Sequence, residues 1–370
     1  MQLDRWQRLR VAALRPLARW LRASPRLRRR LEASEQAWLD RGLDRDLALL
    51  AALDRRTGDS QVWTRGPAAA RRAMRTGIAL VDDPGHQLAV VTRDLTVAGA
   101  VGLRAARVYA PTDLPAIAPG LVFFHGGGWV TGDLDTHDAV CRKLAALGRL
   151  RVIAVDYRLA PEHPYPAAAD DAIAAFRAVA ARADELGLDR TRLAVGGDSA
   201  GGNLSAVIAQ ACRDDAVAPA LQVLLYPAVD FAGSYPSQVD NAEAFVLSAK
   251  SIAWYRGHYL GPSPTAATLR EPRVSPGCTP DLVGLAPAYV VTAGFDPLRD
   301  EARAYTARLR AAGVSVVERD HPSLVHGFLL LTALAPACAA ATDAICAEVG
   351  ALLRGDVATV TPRQTAARRD

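Results

Sequence analysis

The chain has 370 residues, half of them hydrophobic and 22% charged, enough for a large core in one main domain with additions. The formal charge is +5, but only Lys143 and Lys250 are lysines, and the first forty residues alone carry ten arginines against Asp4, Glu32, Glu35 and Asp40. The remainder is close to neutral, which argues against a nucleic-acid-binding face, and no nucleic-acid partner is expected.

Residues 1–40 read as an Arg-rich extension. On a helical wheel Trp6, Leu9, Ala13, Leu17 and Trp20 share one face, and Arg8, Arg15, Arg19, Arg22 and Arg26 another. Pro16 divides the pattern, and Ser24-Pro25 has the form of a helix start. A helix pair packed on its own protein is the favoured reading, and peripheral membrane contact is the alternative. The segment lacks the apolar core of a signal peptide. No apolar stretch reaches the roughly 20 residues that cross a bilayer. "FLLLTALAPACAAA" comes nearest, and Thr332 and Pro336 interrupt it.

Residues 42–80 keep a helical pattern. "LAVVTRDLTV" and "LRAARVYAP" then predict two strands, as a hairpin across "AGAVG". Strands are predicted at 120–125, 151–156, 192–197, 220–226, 288–293 and 314–318, and helices at 136–147, 167–185, 200–213, 299–312 and 337–353. This alternation implies an α/β protein, a mostly parallel sheet with helices on both faces. Its site belongs at the strands' C-terminal edge. Between Asp230 and about Pro272, "NAEAFVLSAKSIAWYRGHYL" predicts one or two helices inserted over that edge. Residues 354–370 form a polar tail, expected to be disordered. Cys141, Cys212, Cys278, Cys338 and Cys346 are odd in number and form no CxxC, which points to reduced, mostly buried thiols and a cytoplasmic setting.

Two glycine clusters carry the chemistry. In "LVFFHGGGWVTGD", Gly126, Gly127 and Gly128 follow an apolar run. They could cradle a phosphate, aim backbone N–H groups at a developing negative charge, or make a plain turn. The dinucleotide fingerprint fails at its third glycine position, where Thr131 stands, although Asp156 ends the next strand as a ribose-binding acid would. No phosphate-loop motif, calcium loop or zinc-ligand spacing occurs, so no metal or organic cofactor is expected. In "RLAVGGDSAGGNLSAVIAQ", Gly197-Asp198-Ser199-Ala200-Gly201 lies between a strand and a helix, the context that gives G-x-S-x-G meaning. Ser199 would sit exposed on a sharp turn, and Ala200 would offer its N–H at a helix start. The partners should follow as acid and then histidine. Asp296 comes just after a strand, whereas Asp300 and Glu301 fall inside the next helix. Asp320 is a weaker acid candidate. His326 is preferred to His321, because a loop after the last strand must reach back and Gly327 lets it turn.

Together "HGGGW", "DYRLAPEHPYPAA", "GGDSAGGNL", "TAGFDPLRDEA" and "HGF" resemble the hormone-sensitive-lipase-like family of α/β-hydrolase esterases, over roughly residues 42–353. The resemblance implies Ser199 as nucleophile, Asp296 as acid and His326 as base. It implies an oxyanion hole from the N–H groups of Gly127, Gly128 and Ala200, with the three glycines keeping side chains out of the substrate carbonyl's path. It also implies a cap formed by residues 41–85 and 230–271 over a core of 86–229 and 272–353. His125, Asp156, Arg158 and Glu162 match family positions expected to be structural, in buried ion pairs and hydrogen bonds. The implied activity is hydrolysis of short- to medium-chain esters through an acyl-enzyme. An amidase or peptidase using the same residues, and a non-catalytic small-molecule receptor, are the alternatives. A small-molecule ester is the expected partner, and homodimerisation stays open.

Overall fold

The computed structural model describes residues 31–58, 60–81 and 88–356. The helices expected before residue 31 and the tail beyond residue 356 lie outside them. Eight strands form one sheet: β1 Val90–Ala98, β2 Leu103–Pro111, β3 Ala118–Phe124, β4 Arg151–Val155, β5 Leu188–Asp198, β6 Gln222–Leu225, β7 Ala288–Phe295 and β8 Val316–Val325. Their order is β1-β2-β4-β3-β5-β6-β7-β8. The β1–β2 hairpin pairs antiparallel and joins β4 antiparallel, and every later pairing is parallel.

The longer helices are α1 Arg45–Thr57, α2 Pro67–Val81, α3 Asp138–Gly148, α4 Ala167–Ala181, α5 Ala200–Ala211, α6 Ala249–Leu260, α7 Arg299–Ala311 and α8 Pro336–Arg354. Strand periodicity distributes the core. Leu121 and Phe123 of β3 join the cluster under α1, α3 and α8, whereas Val122 and Phe124 join the cluster under α4 and α5. With both faces covered, β3 is buried along its whole length, as its apolar sequence requires. Helix α1 begins where the Asp44 carboxylate accepts the N–H groups of Asp46 and Leu47, and it ends at Gly58 in the left-handed region.

Two expectations change. The last strand runs from Val316 to Val325 rather than stopping at 318. Pro322 is tolerated because β8 is an edge strand and Pro322 falls in the register irregularity between the Ala293–His321 and Phe295–Val325 pairs. Helix α8 is long and apolar enough, by length and composition, to span a bilayer. Here it buries Cys338, Ile345, Cys346, Val349 and Leu353 in the cluster that also holds Val140, Cys141 and Leu144 of α3. The segment after Asp230 forms α6 flanked by two short helices, Pro236–Asp240 and Ala266–Arg270.

Candidate active site

Strand β5 ends at Asp198, and α5 begins at Ala200. Ser199 between them has φ 54° and ψ −114°, a conformation that non-glycine residues rarely adopt. Neighbouring structure over-determines it. The Ser199 N–H donates to the Leu225 carbonyl at 2.8 Å, and the Ser199 carbonyl accepts from Asn203 N–H at 3.0 Å. A Cβ on Gly197 or Gly201 would run into the Phe124 carbonyl, so both glycines are needed for strand and helix to pass this closely.

Later strands bring the other candidates to this turn. His326 follows β8 directly, with no intervening loop, and Gly327 turns the chain in the left-handed region. His326 Nε2 lies 2.9 Å from Ser199 Oγ, and His326 Nδ1 lies 2.7 Å from Asp296 Oδ2. Asp296 follows β7, and its other oxygen accepts the Leu298 N–H at 2.8 Å. Both His326 and Asp296 are buried. The rivals are engaged elsewhere. Asp320 accepts from Thr292 Oγ1 and Arg303, both at 2.9 Å. Asp300 takes the Ser237 N–H and pairs with Arg299. Glu301 takes the N–H groups of Val229 and Asp230 at 2.7 and 3.2 Å. Burial pushes the Glu301 carboxyl up to about 8, against those two donors. His321 lies inside β8, its ring 5.1 Å from Phe328, and burial pushes its pKa down.

The triple-glycine loop borders the same cleft. The Gly127 carbonyl accepts from Val130 N–H, Thr131 N–H and Thr131 Oγ1 at 3.1, 2.9 and 3.0 Å, which fixes the loop. The N–H groups of Gly127, Gly128 and Ala200 have no acceptor among the described residues. The Gly126 N–H is engaged, donating to Asp198 Oδ1 at 2.8 Å. Packing by itself already requires these glycines. A Cβ would meet the Asp198 carboxylate at Gly126, the Thr131 backbone at Gly127 and the Tyr255 ring at Gly128.

Asp198 went unremarked in the sequence except as a motif position, yet it ties the two clusters together. It is buried and faces His137 Nε2 at 3.2 Å. Burial would raise its carboxyl, but His137 and the Gly126 N–H outweigh that and hold it below the usual range. His125 is buried and stacks on Tyr157 at 4.4 Å, and its carbonyl accepts the Tyr157 hydroxyl at 2.8 Å. Burial would lower the His125 pKa, but Asp156, 3.7 Å away, and the Gly126 carbonyl raise it. The expected buried network is only partly buried: the Asp156 and Glu162 side chains are 38% and 53% exposed. Arg158 does engage the buried Asp171, at 2.7 Å.

Above the turn lies a cleft. Met74 of α2, Phe231, Val246, and Ile252 and Tyr255 of α6 form its walls. Trp129 closes one side, stacked on the buried Tyr259 at 4.3 Å and 3°. No group of His, Cys, Asp and Glu among the described residues could hold a metal ion.

A family profile for the alpha/beta hydrolase fold matches residues 121–330. The carboxylic ester hydrolase LipN of Mycobacterium tuberculosis is 47% identical over 73% of this chain and 73% of its own length. Esterase LipI of the same organism is 44% identical over 75% of this chain and 86% of its own. Among solved structures, the ester hydrolase EH1AB1 from the Lake Arreo metagenome aligns with a TM-score of 0.79 at 38% identity, covering 84% of this chain and 99% of that one. With matches of this extent, the chain belongs to the hormone-sensitive-lipase-like family of α/β-hydrolase esterases.

Proposed function

We propose that this carboxylic ester hydrolase works through an acyl-enzyme on Ser199, with short- to medium-chain esters as substrates. The observation that carries the reading is the continuous hydrogen-bond chain Ser199–His326–Asp296 beside three uncommitted backbone donors. As Ser199 Oγ attacks the ester carbonyl, His326 Nε2 takes its proton. Asp296 holds the imidazole tautomer and stabilises the imidazolium. The N–H groups of Gly127, Gly128 and Ala200 meet the tetrahedral oxyanion, where one such donor is typically worth about 2.7–4 kcal/mol. His326 then protonates the leaving alcohol, and a water molecule repeats the sequence on the acyl-enzyme. The cleft's mostly apolar walls suit a short or medium acyl chain.

We assign α2 and α6 to a cap over the Ser199 turn, within segments 41–85 and 230–271. The five free thiols, four of them buried, support a cytoplasmic location. Flotation with liposomes before and after deletion of residues 1–40, and light scattering of the purified protein, test membrane contact and dimerisation.

The deciding experiment is fluorophosphonate labelling with p-nitrophenyl butyrate hydrolysis. Wild type should label and turn over, and Ser199→Ala should do neither while keeping its circular dichroism spectrum. Substantial turnover by Ser199→Ala refutes the assignment. An unlabelled, inactive wild type favours a receptor, and matched anilide hydrolysis at comparable rates favours an amidase.

A further inference from the structure

Helix α6 presents Ile252, Tyr255 and Arg256 to the cleft, and Tyr259 stacks on Trp129 one turn further on. These positions follow the i, i+3, i+4, i+7 spacing of a single helix face. Three of the four side chains are apolar or aromatic, as an inward face requires. Arg256 is the exception. The other ionisable groups lining the cleft are engaged. Asp198 faces His137 and Gly126, and His326 lies between Ser199 and Asp296. Many arginines elsewhere in the fold face carboxylates, as Arg107 does Asp94, Arg158 Asp171 and Arg299 Asp300, and others, such as Arg151 and Arg308, bond backbone carbonyls. Half-buried Arg256 makes no ion pair or hydrogen bond among the described residues.

An uncommitted guanidinium has a consequence when the cleft fills. Its five donors lose water, and a neutral acyl chain returns no acceptor. A carboxylate or phosphate does, and the planar fork suits either one in two parallel bonds. We infer that Arg256 determines specificity, and that the preferred substrates are esters bearing an anionic oxyacid group, a carboxylate or phosphate, remote from the scissile bond. This rests on the ester-hydrolase reading of the same cleft. Arg256 touches no reacting atom and takes no part in the proton transfers at Ser199.

The test compares kcat/KM for monoethyl adipate with that for ethyl hexanoate, which has the same acyl length without the charge. A second pair compares 2-phosphoethyl hexanoate with 2-hydroxyethyl hexanoate. Wild type should take at least one anionic ester better than its neutral partner, and added salt should erode that ratio. Arg256→Gln should lower the ratio about tenfold or more. Arg256→Lys should restore part of it, since it keeps the charge but not the fork. The pair whose ratio falls identifies carboxylate or phosphate as the recognised group. Anionic-to-neutral ratios that are equal in wild type and Arg256→Gln for both pairs overturn the inference while leaving the ester-hydrolase reading intact. Failure of wild type to hydrolyse any of the four esters, together with unlabelled Ser199, overturns both.

Discussion

Glu301 offers a test of how burial acts beneath the site. Its carboxylate lies under the loop after β6 and accepts two backbone N–H groups, from Val229 and Asp230. Burial dominates, with the Asp230 and Asp296 charges adding to it, and the pKa rises from the ordinary 4.5 to about 8. The folded chain therefore holds this proton over a pH range in which the unfolded chain has released it. The associated stability is fully present below about pH 4.5 and is lost as pH rises towards 8. Between pH 5 and pH 8.5 the loss is on the order of 3–4 kcal/mol. Glu301→Gln keeps an acceptor oxygen for both N–H groups and removes the titration. Urea unfolding of both proteins at the two pH values should show the variant gaining on wild type by about that amount at the higher pH. Parallel pH dependences would refute the dominance of burial over the two donors.

Other substitutions probe separate parts of the site. Gly201→Ala should lower thermal stability by about 1–3 kcal/mol and abolish most activity, because its methyl group meets the Phe124 carbonyl at the Ser199 turn. Calorimetry and an ester assay read both effects. Asp296→Asn should keep the melting temperature nearly unchanged while kcat falls about 10⁴-fold, since the imidazole loses its fixed tautomer. A loss below tenfold would contradict the proposed role. Tyr259→Ala removes the fully buried partner of Trp129 and should cost about 3–5 kcal/mol in urea unfolding.

Much of this arrangement was legible because local signals agreed with one another. The unbroken apolar run of β3 and the strand-turn-helix setting of Ser199 both point to a buried parallel sheet with a site at its edge. Asp296 stood out because its rivals Asp300 and Glu301 fall inside a helical pattern, and the fold gives those rivals other partners. The sequence misled where tertiary position overrides a local rule. Pro322 ends a strand by propensity, but on an edge it does not, so His326 follows β8 without the expected loop. Glu162 carries a charge in a motif that suggested burial, yet it is exposed beside Arg71. The contact of Tyr255 with Gly128, and the placing of Arg256 in the cleft, depend on how an inserted helix docks. No periodicity within the helix specifies that.

The hydrogen bond from Gly126 to Asp198 has a mechanical consequence. Asp198 immediately precedes the proposed nucleophile, and Gly126 immediately precedes the first proposed donor. One carboxylate thus fastens the Ser199 turn and the triple-glycine loop to the same point. The tolerance that matters for an oxyanion is the separation between those two parts. The proposed nucleophile and the Gly127–Gly128 loop are thus held together by one buried side chain as well as by the direct pairing of β3 with β5.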